Sequence, residues 1–422
     1  MCGPIIFSDQ VIPVFNCRLD PGSKRPIAVA YSGGGDSLAA LIATTQWADR
    51  TGRQVLALHV DHRLQAASGA WARLAEQTAA RLGVAFVGLA WAGDKPPRGV
   101  SAAARRARHA LIADAARSAG AGVVVFGHTG DDMLEAEVMR AQGSSLGHVQ
   151  EWGPSPAWPE GRGLFLLRPL LALRRAQIRE RLAPLGLPWI EDPANADLAS
   201  LRARTRASLD ASGPAPLCAC TPPGLAELAK TATAGPAGDL IMPRDRLNAA
   251  PPAVARRLVS AALVCVGGGD SPPRRARLDA LLARLGGAGP LVATLAGARV
   301  SADADLHVVR EAGTYRRHGE PELRLDPGET GVWDGRYEVR NEGMASCVVR
   351  PLAGLAAQLP KAERERLAAT PADVRGALPA MRGPEGAVTC PILTVRSSVT
   401  AQSLVAERFY AACGAISQEL GV

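Results

Sequence analysis

Lysine, cysteine and aromatic residues are all scarce in this chain of 422 residues, and it has no long apolar run. Without a stretch of about 18 apolar residues, no membrane-spanning helix is expected. The first residues carry no basic stretch, and Asp9 and Asn16 interrupt their apolar character, so they do not read as a secretory signal. A soluble cytoplasmic protein is expected. Eight cysteines are too sparse for a disulfide scaffold at this length. The one close pair, Cys218 and Cys220, has no histidine nearby and reads as incidental rather than metal-binding. An aromatic content of 4% argues against a platform that stacks single-stranded bases. Lys24, Lys95, Lys230 and Lys361 are the only lysines, so the positive charge is almost all arginine. The accompanying excess of Ala, Gly and Pro looks like GC-rich coding bias, so arginine content alone says little. The net charge of +8 nevertheless fits a polyanionic partner such as nucleic acid. Hydrophobic and charged fractions of 47% and 21% are ordinary for a globular protein and exclude wholesale disorder.

The pattern along the chain alternates. After a lead-in over residues 1–26, strands are expected at 27–31, 55–60, 84–89, 123–126 and 164–167. Helices are expected at 38–50, 68–82, 101–118, 131–141 and 174–185. Such alternation predicts an α/β fold, a parallel sheet with helices on both faces, over residues 27–210. Ligands of such sheets bind outside the carboxyl ends of the strands. The stretch Ala211-Ser212-Gly213-Pro214 reads as a linker. A smaller, mixed, helix-rich region follows over 211–422, with helices at 244–266 and 274–285 and strand-like alternation at 291–309. No chemistry is legible in the remainder.

The most informative segment is Ser32-Gly33-Gly34-Gly35-Asp36-Ser37, between the first expected strand and its helix. Three glycines let the backbone approach a ligand, and successive N–H groups at a helix start form an anion nest. The Ser32 and Ser37 hydroxyls can add donors to phosphate. Asp36 suits that setting only with a divalent cation between carboxylate and phosphate. The lysine of the Walker pattern is missing, and so is G-x-G-x-x-G.

This hexapeptide resembles the PP-loop signature S-G-G-x-D-S of the N-type ATP pyrophosphatases, which cleave ATP between the α and β phosphates and adenylate an oxygen. Within that superfamily, further motifs resemble the tRNA(Ile)-lysidine synthetase family. His59-Val60-Asp61-His62-Arg63-Leu64 is similar to H-V-x-H-x-L. Ser101-Ala102-Ala103-Ala104-Arg105-Arg106-Ala107-Arg108-His109 resembles E-A-x-A-R-x-x-R-Y. His128-Thr129-Gly130-Asp131-Asp132-Met133-Leu134-Glu135-Ala136 resembles H-H-x-D-D-Q-x-E-T. Arg140 and Gly143-Ser144 stand where R-G-S-G lies, and Arg168-Pro169-Leu170-Leu171 matches R-P-L-L. Trp189-Ile190-Glu191-Asp192-Pro193-Ala194-Asn195-Ala196-Asp197 matches W-x-x-D-P-[ST]-N-x-D, and 202–206 stands for R-N-x-x-R. Order and spacing hold over residues 27–206. Ser101, His109, Thr129, Met133 and Ala136 depart from the family pattern.

The resemblance implies ATP-dependent attachment of L-lysine to C2 of the wobble cytidine of an isoleucine tRNA with a CAU anticodon. The route passes through an adenylated base and yields AMP and pyrophosphate. It further implies an ATP site at Ser32, Gly33, Gly34, Gly35, Asp36, Ser37, His59 and His128. Asp36, Arg105, Asp131, Asp132 and Glu135 would do the chemistry, and Asp36 with Asp132 would meet Mg²⁺. On an expected helix, Asp131 and Glu135 are four apart and Asp132 and Glu135 three apart, so they can share a face. Ordinary acidic residues at a helix N-terminus would look the same. Arg105 and Arg108 share a helical face and could grip phosphate or the adenylate, or form a solvated basic face. His59 and His62 flank a strand end, where adenine contact and a structural hydrogen bond are equally open. Arg108, Arg174, Arg175, Arg202 and Arg206 are candidates for tRNA phosphates. Two rival functions remain at this point: a PP-loop tRNA thiolase, and a non-catalytic RNA-binding protein with a degenerate nucleotide site. Thiolases of this superfamily carry cysteines in the catalytic domain, and no cysteine stands between the 32–37 loop and Ala211.

Overall fold

The computed structural model describes residues 7, 10–93, 95–142, 149–192, 204–206, 222–287, 289–383, 386–394 and 398–420. Arg202, Gly143-Ser144, the 193–197 stretch, the expected linker and the Cys218/Cys220 pair lie outside them. The chain forms two units, Met1–Thr221 with Ile416–Val422, and Pro222–Ala415.

In the first unit a short helix α1 (Ile12–Arg18) lies within the lead-in. Then β1 (Ile27–Ala30), α2 (Gly35–Thr51), β2 (Val55–Asp61), α3 (Ser68–Arg81), β3 (Ala85–Ala90), α4 (Val100–Ser118), β4 (Val123–Phe126) and α5 (Gly130–Ala141) alternate as expected. They are followed by β5 (Trp152–Pro154), β6 (Phe165–Leu167) and α6 (Arg175–Leu182). The six strands form one sheet in the order β3-β2-β1-β4-β6-β5. All pairings are parallel except β5 with β6. The short strand β5 falls between the helix expected at 131–141 and the strand expected at 164–167, where Gly and Pro mask its pairing in the sequence.

The core follows from the pattern. β4 reads Val-Val-Val-Phe and is buried throughout, as a central parallel strand covered on both faces must be. α4 is rich in alanine and arginine, both strong helix formers. It buries Ile112, Ala113 and Ala116 against Ala28, Leu58, Val124 and Leu166 of the sheet. Because β1 lies between β2 and β4, their carboxyl ends sit side by side. The sheet order reverses there, which leaves a crevice.

The tail of the chain belongs to this unit. Arg53 grips Glu419 with two bonds of 2.6 and 2.9 Å, both side chains fully buried. Trp152 Nε1 donates to the Ile416 carbonyl at 2.9 Å.

The second unit is mixed. Helices α7 (Leu225–Lys230), α8 (Arg244–Ala249), α9 (Pro252–Gly267) and α10 (Arg275–Leu285) accompany a five-stranded sheet of β7 (Thr233–Ala234), β8 (Leu240–Pro243), β9 (Leu291–Leu295), β10 (Ala298–Ala302) and β11 (Asp305–Arg310). The single helix expected at 244–266 is two, because Pro251 and Pro252 lack N–H donors and open a new helix start. A four-stranded and a three-stranded sheet, both antiparallel, and the helices Gly313–His318, Lys361–Ala369, Ala372–Arg375 and Val405–Ala412 also belong to the unit. A charged knot holds them. Asp334 accepts Arg310 Nε and Nη2, each at 3.0 Å, Arg336 Nε at 2.8 Å and the Tyr315 hydroxyl at 2.7 Å. Burial would raise its carboxyl, but the arginines outweigh that and hold it below its ordinary value. Among the described residues no helix is long and apolar enough to cross a membrane.

Candidate active site

The 32–37 loop leaves the end of β1 and turns into α2. Gly33 has φ +87°, a backbone that side chains rarely adopt, and a Cβ there would lie 2.3 Å from Ile190 Cδ1. The loop is braced from within. Ser37 Oγ donates to the Gly34 carbonyl at 2.9 Å, accepts the Ser32 N–H at 3.2 Å, and lies 3.0 Å from Ser32 Oγ. The first N–H groups of α2 have no partner within the helix and open onto the crevice beside Gly34 and Gly35. The nest is therefore preformed at the positive end of a 17-residue helix.

The crevice encloses about 500 Å³. Ser32, Gly34, Gly35, Asp36, Ser37, His59 and His128 all line it, so most of the expected ATP set converges at one place. Gly33 turns under Ile190, whose N–H donates to the Gly33 carbonyl at 2.9 Å. His59 Nδ1 lies 3.0 Å from the Tyr31 carbonyl, so that nitrogen carries the proton. Burial lowers its pKa and keeps the ring neutral. His128 accepts Arg168 Nε at its Nδ1 over 3.0 Å, which assigns its proton to Nε2. The ring stacks on Phe126 with centroids 5.6 Å apart. His109, which stands in place of the family's tyrosine, stacks on Phe126 at 5.3 Å. Burial, aided by Arg108 and Arg105, pushes its pKa down to about 2, so it is a neutral core residue.

Below the loop lies a charged cluster. Arg175, the first residue of α6, donates from Nε to Asp36 Oδ2 (3.0 Å), from Nη2 to Asp132 Oδ1 (2.9 Å) and from Nη1 to Glu135 Oε1 (2.6 Å). Burial raises the Asp36 carboxyl above its ordinary pKa; Arg175 opposes that only in part, and Asp132 adds to it. Asp132 uses its second oxygen to accept the Thr129 N–H at 2.8 Å, as the N3 residue of a capping box. Thr129 thus has a local reason to stand at a position where the family pattern has histidine. Glu135 is fully buried and also accepts Arg206 Nε at 2.8 Å.

Several expectations need correction. Asp131 does not reach the crevice. Its two oxygens accept Arg174 Nη2 at 3.0 Å and the Arg175 N–H at 2.8 Å, which pins the start of α6 to α5. Arg174 is buried and Arg175 largely so, and both face carboxylates rather than an exposed track for tRNA phosphates; Arg206 is 34% exposed, pairs with Glu135 and lines the crevice. Burial selects for pairing here, because an arginine left unpaired inside would cost several kcal/mol. Arg105 is exposed and outside the crevice wall, whereas Arg108, one turn later on α4, lines it. Expected Mg²⁺ carboxylates Asp36 and Asp132 do come together, with Arg175 between them. Among the described residues no group of three or more His, Cys, Asp or Glu side chains is arranged to hold a metal ion.

Sequence reasoning assigned no role to Gly127, Arg168 or Gln65. A Cβ on Gly127 would overlap the Asp36 backbone, so β4 and the loop touch only because this residue is glycine. Gln65 Nε2 donates to Asp192 Oδ1 at 3.0 Å and latches the 189–192 segment over the loop. Arg168 had a signal, its place in the R-P-L-L match; the others had none.

Comparison with known proteins gives concordant matches. A family model described as a PP-loop domain matches residues 10–211. A tRNA(Ile)-lysidine synthase from Caulobacter vibrioides is 45% identical over 97% of this chain and 98% of its own. The tRNA(Ile)-lysidine synthases of Rhizobium meliloti and Brucella ovis are 34% and 33% identical, over 79% and 78% of this chain and 77% of each relative.

Proposed function

Since the chain belongs to the tRNA(Ile)-lysidine synthase family, an ATP-using group of PP-loop ligases that form lysidine on tRNA(Ile), we propose how its crevice carries out that reaction. The substrate base is the wobble cytidine of a CAU anticodon. ATP binds with its β and γ phosphates on the nest formed by Gly34, Gly35 and the α2 N-terminus, where N–H groups and the helix dipole meet the negative charge. The C2 oxygen of the cytidine attacks the α phosphorus, and pyrophosphate leaves with the electron pair of the broken P–O bond. Lysine nitrogen then attacks C2, the C2–O bond breaks, AMP departs, and the nitrogen gives up a proton. His128, whose Nδ1 accepts Arg168 Nε, stands in the crevice wall, where its Nε2–H would face the reacting groups. Positive charge growing on the base ring favours the nearby carboxylates.

Mg²⁺ fits the donor set if ATP shares it: Asp36 and Asp132 each turn one oxygen to the guanidinium of Arg175, and Mg²⁺ commonly takes one or two carboxylates with substrate phosphates. When bound, it would neutralise the phosphates beside Asp36. Arg108, in the crevice wall, is placed for the adenylate. Arg105, exposed one turn earlier, is placed for a tRNA phosphate.

The observation that carries this reading is the convergence of the braced 32–37 loop, His59 and His128 on one crevice at the ends of adjacent parallel strands. Radiolabelled lysine, ATP and unmodified tRNA with a CAU anticodon should give labelled lysidine and one pyrophosphate per product, and excess chelator should stop both. Sulfur transfer without lysine incorporation would replace this reading with the thiolase one. Untouched ATP with retained RNA binding would favour the non-catalytic one.

A further inference from the structure

Three carboxylates from two helices meet three different nitrogens of one side chain. Asp36 comes from the first turn of α2, and Asp132 and Glu135 come from α5. The guanidinium of Arg175 reaches them at 3.0, 2.9 and 2.6 Å through Nε, Nη2 and Nη1. A planar fork can serve three diverging acceptors at once, which the compact ammonium of lysine does with far less geometric control. Its backbone is fixed too, because the Arg175 N–H donates to Asp131 Oδ2 at 2.8 Å. Among the described residues Arg206 bonds to Glu135 and to no other carboxylate of the cluster, so it does not share this task.

Charge decides what the fork is for. The cluster sets the carboxylates of Asp36, Asp131, Asp132 and Glu135 against the guanidiniums of Arg174, Arg175 and Arg206. Among the described residues, four negative charges face three positive in these ion pairs, a net −1 in a half-buried place. Without Arg175 that count would be −2, and carboxylates held so close together repel one another unless another cation stands between them. The same oxygens of Asp36 and Asp132 that would face a divalent ion are the ones now facing Arg175.

We propose that Arg175 is a positioning residue and the site's resident counter-ion. It holds Asp36, Asp132 and Glu135 converged while the crevice is empty, and it keeps a divalent cation out until ATP arrives. The phosphates then give the guanidinium an alternative partner of matching geometry, and the ion enters with the nucleotide. The proposal rests on the reading of Asp36 and Asp132 as the carboxylates that meet the ion; it does not depend on which base or amine reacts.

Mn²⁺ binding to the full-length, nucleotide-free protein, followed by loss of the free-ion paramagnetic resonance signal, tests it. Wild type should bind weakly, and a non-hydrolysable ATP analogue should tighten binding. Arg175→Gln should bind Mn²⁺ without nucleotide at least roughly tenfold more tightly than wild type, because its carboxylates have lost their internal cation. Arg175→Lys keeps the charge and should stay near wild type. Adding Asp36→Asn to Arg175→Gln should cancel the gain. A cooperatively melting Arg175→Gln protein with wild-type Mn²⁺ affinity overturns the proposal. If that variant does not fold, wild type alone decides: equal Mn²⁺ affinity with and without the ATP analogue overturns it. Failure of lysine transfer in wild type would sink the reaction assigned above and leave the Mn²⁺ result standing.

Discussion

Replacing Gly127 by alanine places a methyl carbon 2.5 Å from the Asp36 carbonyl oxygen, 2.7 Å from its carbonyl carbon and 2.8 Å from the Ser37 nitrogen. Favourable contacts between such atoms begin near about 3.5 Å, so the overlap is on the order of 1 Å. Neither side retreats easily. β4 is held in register against β1, with Phe126 opposite Ala30, and the loop is tied by the Ser37 hydroxyl. The 32–37 loop therefore shifts outward. Overpacking of this kind costs about 1–3 kcal/mol. For a unit of this size each kcal/mol lowers Tm by roughly 2–4 °C, which gives a drop of about 2–12 °C. The larger effect should be on turnover, since a displacement of about 1 Å at reacting groups can cost on the order of a hundredfold. Gly83→Ala is the control. Gly83 has φ +68° with nothing within 4 Å of its would-be Cβ, so it should lose about 1–2 kcal/mol from backbone strain alone. Both variants should melt earlier in a thermal scan, but only Gly127→Ala should lose pyrophosphate release. Wild-type turnover in Gly127→Ala would refute the claim that loop and strand end touch where the phosphates bind.

Two other outcomes follow from the charges. Asp36 has a raised pKa in the fold, so its contribution to stability is full below the unfolded value near 3.8 and is lost as pH rises through the folded one. Asp36→Asn should thus match or exceed wild-type Tm at pH 7 while abolishing adenylation, and its advantage should fade as the pH falls. A clear Tm loss at pH 7, or an advantage growing toward acid, contradicts the burial argument. Arg108→Ala should lower kcat more than tRNA affinity, whereas Arg105→Ala should weaken tRNA binding and reduce the salt slope by about one ion with kcat nearly intact. The reverse ranking, read from single-turnover kinetics and salt titration, would move the adenylate to Arg105.

Much of the crevice proposed for the nucleotide was legible because its signals are local. A glycine-rich hexapeptide between a strand and a helix carries its own conformation, His59 lies two residues before the end of β2, and His128 follows β4 by two residues. The arginines were harder. Helical spacing places Arg105 and Arg108 near one another but cannot say which faces the crevice. That depends on how α4 packs on β2 and β4. Arg174 and Arg175 read as a basic helix start suited to phosphate. The fold turns them inward because Asp131 receives the start of α6. Asp131, Asp132 and Glu135 read as one set, yet they divide into a staple, a cap shared with the cluster, and a buried acceptor.

The sequence by itself determined the alternation that makes a parallel sheet, the glycine-rich loop at the end of its first strand, and the family. All three are written in short-range periodicity and motif order. Only the tertiary structure decided which charges meet. Arg175 reaches Asp36 across 139 residues and Arg53 reaches Glu419 across 366. Such pairs exist because strand order brings distant segments together and because a charge shut away from water must find its opposite. Neither condition can be read until the packing that excludes the water is known.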